Sequence, residues 1–235
     1  MQIPASVAHL LQQVSVLALP AIFAITFHEA AHGFVAWRCG DDTALQAGRV
    51  TFNPLKHIDP FGTIVMPLVL FLVSGGRFLF GYAKPVPVAF HRLRHPRRDM
   101  VWVALAGPGI NIALAVFSAL LMYVADYAPD SIREWLFLNL QYSVMINVIL
   151  AVFNMIPLPP LDGGRVAVGI LPDALAIPLA RMERVGMLVL IGLLFLAPMI
   201  GDHFGMDWNI IGRVVEGPVT WVLSAIGWLT GIRVT

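Results

Sequence analysis

The chain has 235 residues, 58% of them hydrophobic and only 12% charged, with a formal net charge of +1. That charge density is about half that of a soluble domain, and the balance leaves no electrostatic footprint for a nucleic-acid partner. Cys39 is the sole cysteine, which excludes an internal disulfide framework and a multi-cysteine metal site.

Several apolar stretches approach the roughly 18–20 residues that cross a bilayer, so the expected fold is an all-α polytopic membrane protein. The first helix is expected from about Ser6 to Trp37, with Gly40 as a stop signal. The apolar run Val14–Phe27 continues into His28 and Glu29 without a small-residue cleavage site, and reads as a retained helix rather than a signal peptide. Leu45–Phe52 partly alternates and predicts a short strand closed by Pro54. Phe61–Ser74 is apolar for about 14 residues, short for a span. From Arg77 to Arg98 the chain carries six Lys/Arg and no acid. Four further helices are expected at about Met100–Val124, Trp135–Met155, Leu179–Ile200 and Gly217–Ile232, all within one integral-membrane domain over 1–235.

Charge then orients the chain. The basic Arg77–Arg98 segment belongs on the cytoplasmic side and the acidic Asp126–Glu134 turn outside. The helix after that turn therefore runs inward and delivers Asp162 to the cytoplasmic side. His28 lies about 22 residues into the first helix, near its C-terminal end at 1.5 Å per residue. If His28 and Asp162 meet, that helix also runs inward, and Arg38–Arg98 begins and ends on one side. Phe61–Ser74 is then re-entrant, or one arm of a hairpin returning through Phe78–Tyr82.

The chemistry concentrates in His28-Glu29-Ala30-Ala31-His32. Residues four apart share a helix face, so His28 and His32 can offer two imidazoles to one ion. Glu29 is turned by about 100° from them and can reach a water beside the ion without ligating it. A hydrolytic zinc site takes three protein ligands and keeps a fourth position open. Ionisable residues inside an apolar span are costly and mark function by default. Asp162 is the best third ligand on position, between a proline-rich break and two glycines; Asp59 and His57 compete.

His28–His32, together with Asn154-Met155-Ile156-Pro157-Leu158-Pro159-Pro160-Leu161-Asp162-Gly163-Gly164, resembles the signature pair of the site-2 protease family. Ala106–Asn111 is similar to a third segment of that family. The stretches Asn53–Pro60 and Ala83–Val88 resemble a short bacterial or archaeal subgroup. The resemblance implies a three-helix catalytic core, about 6–165, and a small membrane-associated β element after the first motif; the additional membrane helices at about 179–232 carry no match to the family. It implies one Zn2+ per chain on His28, His32 and Asp162, Glu29 as the catalytic base, and Asn154 as a substrate-binding residue. Asn111 and His57 are possible supporting residues. The implied substrates are transmembrane proteins or peptides in the cell membrane, and the charge pattern puts the active site toward the cytoplasm; the oligomeric state is not implied. The turn between the second and third core helices leaves no room for a PDZ insertion. The competing readings are a non-proteolytic scaffold, in which Glu29 has no purpose, and a metal-ion transporter, which would repeat polar residues along several helices.

Overall fold

The structure is a computed structural model that describes residues 5–73, 81 and 84–232, with side chains described from Gln12 onward except at 64, 67, 70 and 73. Three long helices form its centre: α1 (Ala5–Arg38), α4 (Pro96–Ala125) and α5 (Asp130–Asn154), each packed on the other two. Small residues let them approach closely: Ala24, Ala30 and Ala36 of α1 and Ala104, Gly107, Ala115 and Ala119 of α4 are buried. Within a bilayer, such close van der Waals packing substitutes for a hydrophobic driving force between helices. Pro96 opens α4, where a missing N–H is harmless, and Asp99 accepts the His95 amide at 2.9 Å.

Shorter elements bridge α1 and α4. They are α2 (Thr43–Gln46), a 3-10 turn at Pro54–Lys56, a π-helical turn at Pro60–Val65, α3 (Met66–Val73) and a 3-10 turn at Phe90–Arg92. The expected strand at Leu45–Phe52 does not form, and no strand occurs among the described residues. Its backbone is satisfied locally: the amides of Gln46, Ala47 and Arg49 donate to the carbonyls of Asp42, Thr43 and Ala44. Asp41, just before this turn, accepts the Thr43 amide at 3.1 Å, and Gly48 follows it at a φ of +64°. These amides are spent on helical turns and are not offered to a ladder. Phe52 instead stacks on Phe27 of α1, ring centroids 4.4 Å apart.

The π turn begins at Asp59, whose carboxylate accepts the amides of Phe61 and Gly62. The π turn and α3 run on together over 60–73, which at about 1.5 Å per residue is roughly 20 Å, short of the roughly 30 Å of a hydrocarbon core. The expected return through Phe78–Tyr82 lies outside the described residues, apart from Gly81.

Beyond α5 an irregular proline-rich loop leads into α6 (Asp162–Ile170) and α7 (Asp173–Arg181). Next come α8 (Glu183–Ile191), a π turn at Gly192–Leu196 and α9 (Ala197–His203), together one continuous 21-residue helix. The last helix, α10 (Ile210–Thr230), starts seven residues before its expected position because Asn209 caps it, accepting the Gly212 amide at 3.0 Å. Val219, Leu223 and Ile226 of α10 close a core with Ala115, Ala119, Val144 and Val148. Among the described residues, five helices are long and apolar enough to cross a membrane: α1 from Gln12, α4, α5, Glu183–His203 and α10.

Candidate metal centre

His28 and His32 lie one turn apart on α1, facing α4, and both are buried. Asp162 reaches them from the first residue of α6. Its approach depends on two glycines. A Cβ on Gly163 would run into the Met155 and Ile156 carbonyls, and one on Gly164 into Leu158 and Pro159. Only residues without side chains let the proline loop fold tightly over the start of α6.

The result is a triangle of donors. His28 Nε2 and His32 Nε2 are 3.0 Å apart, and Asp162 Oδ2 lies 3.2 Å from the first and 3.3 Å from the second. Tetrahedral zinc with ligand bonds of about 2.0–2.1 Å separates its ligands by roughly 3.3 Å. The far side of each imidazole fixes its tautomer. His28 Nδ1 is 2.6 Å from Asn111 Oδ1, and His32 Nδ1 is 2.7 Å from the Val103 carbonyl oxygen. Both partners are acceptors, so both Nδ1 atoms carry the proton and both Nε2 atoms turn lone pairs inward. Among the described residues, buried Asp162 Oδ2 has no hydrogen-bond donor. Three lone-pair atoms converging in a buried space suit a cation, and the two imidazoles and a carboxylate fit zinc.

Gly107 of α4 is the floor of the site. A Cβ there would sit 2.5 Å from both His28 Cε1 and His32 Nε2. Glu29 is half-buried, and its Oε2 accepts the Val86 amide at 2.8 Å. Val86 lies in Lys84-Pro85-Val86-Pro87-Val88, where the flanking prolines have no N–H, so Val86 is the sole donor at the centre of this strap.

Asp41 anchors the strap from the end of α1. It is fully buried, and accepts the Ala89 amide at 2.6 Å and the Thr43 hydroxyl at 2.5 Å. Burial opposes its ionisation, but these hydrogen bonds and nearby Arg92 hold its carboxyl below the usual carboxylate range. Neither Val86 nor Asp41 is singled out by sequence reasoning; the Pro-X-Pro frame is the one local signal that could have found Val86.

The other anticipated residues fall at different distances from the triangle. Asn111 touches His28 directly and is fully buried. His57 is buried beside Thr51, whose carbonyl oxygen lies 3.0 Å from its Nε2, and it does not join the donor group. Asp59 is occupied in capping the π turn. Asn154, at the end of α5, donates to the Leu150 carbonyl of its own helix at 3.0 Å.

Fold and site together define a multi-pass helical membrane protein with a buried three-donor group at the junction of its core helices. Peptidase family M50 matches residues 127–197, which include α5, the proline loop and Asp162. YwhC of Bacillus subtilis (strain 168), whose name assigns it as a candidate zinc metalloprotease, is 38% identical over 187 residues, covering 78% of this chain and 81% of that one. Rip2 of Mycobacterium tuberculosis (strain ATCC 25618 / H37Rv), similarly named, is 31% identical over 183 residues, covering 78% and 67%. The chain belongs to peptidase family M50, the site-2 protease family of metalloproteases. No solved structure matches it.

Proposed function

We propose that this protein is an intramembrane zinc endopeptidase that hydrolyses peptide bonds in or near transmembrane segments of membrane-protein substrates. The observation that carries the reading is the donor triangle, with separations of 3.0–3.3 Å and both Nδ1 atoms committed elsewhere. His28, His32 and Asp162 would hold one zinc ion. Bound there, zinc acidifies a water and polarises a carbonyl.

Glu29 takes the proton from the attacking water and returns it to the departing amine nitrogen. The Val86 amide holds one carboxylate oxygen and leaves the other for this work. Asn154, at the mouth of the proline loop, holds the substrate backbone, and Asn111 keeps His28 oriented. His57 supports the loop between α1 and the strap. The site faces the cytoplasmic side of the cell membrane, following the basic segment before α4, and 61–74 is a re-entrant element on that side. The whole of 1–235 works as one domain.

The test uses the full chain in liposomes with a model transmembrane peptide. Wild type is expected to hold one zinc per chain and to cleave. Glu29→Gln is expected to hold zinc and to lose at least about a hundredfold in rate, the usual scale for general-base catalysis. A folded wild-type preparation without zinc would overturn the reading. Equal cleavage by Glu29→Gln would remove the assigned base, and zinc without cleavage of any transmembrane peptide would favour a scaffold.

A further inference from the structure

A chain of polar side chains leads away from the metal centre, and beyond Asn111 it has no part in the hydrolytic chemistry. His28 Nδ1 faces Asn111 Oδ1 at 2.6 Å. Asn111 Nδ2 donates to Asn147 Oδ1 at 2.7 Å and, at a longer 3.2 Å, to the Ala24 carbonyl. Asn147 Nδ2 donates to the Ser143 carbonyl at 2.8 Å and lies 3.3 Å from the Ser143 hydroxyl. That hydroxyl meets the Ser118 hydroxyl at 2.8 Å. Asn111 and Asn147 are both almost completely buried.

An amide side chain can present either its oxygen or its nitrogen to a neighbour, so each orientation needs a reason. Here the reason starts at the Ser143 carbonyl. A backbone carbonyl only accepts, so Asn147 must turn its nitrogen to it and its oxygen to Asn111. Asn111 must then offer nitrogen to Asn147 and oxygen to His28. His28 in turn must carry its proton on Nδ1, which frees Nε2 to face Asp162. Every donor in the sequence His28, Asn111, Asn147 points away from the metal centre, and hydrogen bonds aligned in this way polarise one another.

We infer that Asn147 is a positioning residue, anchored on the Ser143 carbonyl, that sets the Asn111 amide and through it the tautomer of His28. The inference rests on the zinc reading above. Asn147 touches no donor of the triangle, so its influence passes only through Asn111. The Ala24 carbonyl supports the same Asn111 orientation at longer range, and the Asn147 contact is the shorter of the two. His32 provides an internal comparison, because its Nδ1 is held by the Val103 carbonyl and does not join the chain.

The test measures zinc affinity by chelator competition on the full chain in detergent, with 15N spectra of labelled histidines in the metal-free protein. Asn147→Leu is expected to weaken zinc about tenfold, the lower end for partners that orient metal-binding histidines. It is also expected to introduce a second His28 tautomer while His32 is unchanged. In an Asn111→Leu background, Asn147→Leu is expected to have no further effect on affinity, since its only route is gone. Asn147→Asp keeps an oxygen toward Asn111 and is expected to preserve the His28 tautomer. Should Asn147→Leu fail to fold, Asn147→Ala removes the same acceptor without added bulk.

Zinc affinity within twofold of wild type and an unchanged His28 would overturn the inference. So would an equal loss in the Asn111→Leu background, or His28 and His32 shifting together. If wild type retains no zinc, the metalloprotease reading fails as well. If wild type retains it and Asn147→Leu matches it, only the role of Asn147 fails.

Discussion

Glu29 on α1 and Val86 on the strap before α4 are joined by one hydrogen bond, Val86 N–H to Glu29 Oε2, at 2.8 Å across 57 residues of chain. Among the described residues no side chain hydrogen-bonds this carboxylate, and Pro85 and Pro87 cannot replace the Val86 donor. Val86→Pro therefore removes the restraint, and the neighbouring prolines already favour an extended backbone. Cleavage of a transmembrane peptide is expected to fall between about tenfold and a hundredfold, the scale of small misplacements at a reacting centre, with zinc content unchanged. Val86→Ala keeps the amide and serves as the control. Equal losses in both variants would trace the effect to side-chain packing.

Gly107 and Gly109 are two residues apart on α4 and should respond oppositely to a methyl group. A Cβ on Gly107 meets the His28 and His32 rings at 2.5 Å, whereas one on Gly109 meets nothing within 4 Å. Gly107→Ala is expected to displace the imidazoles and abolish stoichiometric zinc binding. Gly109→Ala is expected to bind zinc normally and, because alanine favours helix over glycine by about 1 kcal/mol, to melt no lower than wild type. Metal analysis and thermal melting of the two variants check this.

Asp162→Asn separates metal affinity from stability. The amide keeps the shape of the carboxylate but loses the charge, and it can donate to the inward lone pairs of His28 and His32. Zinc affinity is expected to fall by more than about a hundredfold, beyond the effect of altering a partner that only orients a ligand. Without metal, the variant is expected to melt no lower than metal-free wild type, since three converging lone-pair atoms become a hydrogen-bonded set. A lower melting point would mean that Asp162 stabilises the fold without a cation.

Asp41 makes the anchoring of the strap dependent on pH. Its folded carboxyl titrates below the ordinary value, so the unfolded chain binds a proton more readily there than the folded one. The stability it contributes is present above the unfolded pKa of about 3.9 and is lost as pH falls through the lower folded value. Asp41→Asn should abolish this acid-side slope. It should also lower the melting temperature at neutral pH, because the amide nitrogen would face the Ala89 amide or the Thr43 hydroxyl. Melting curves at several pH values below neutrality compare the two proteins directly.

Much of the architecture is legible from local pattern. Apolar runs of bilayer length mark α1, α4 and α5 because a membrane-spanning helix must satisfy its backbone internally and expose apolar side chains all round. The later helices are found with shifted ends, because a cap such as Asn209 and a helix that continues through a π turn blur an apolar run. The strand expected at Leu45–Phe52 fails for a related reason. Alternation describes side chains, but a strand also needs an adjacent backbone, and here the amides turn back on their own carbonyls.

The amino-acid sequence by itself determined that His28 and His32 share one helical face with Glu29 beside them, because helical geometry places residues four apart together whatever surrounds the helix. It also determined that the chain is built of membrane-spanning helices. Tertiary structure alone decided that Asp162 Oδ2 lies 3.2 and 3.3 Å from the two Nε2 atoms, that Gly107 supports both rings, and that Val86 and Asn147 are tied to Glu29 and Asn111. Those relationships join residues 36 to 134 positions apart. They arise from close packing of separate helices and from the need of each buried polar group for a partner, and no local periodicity encodes them.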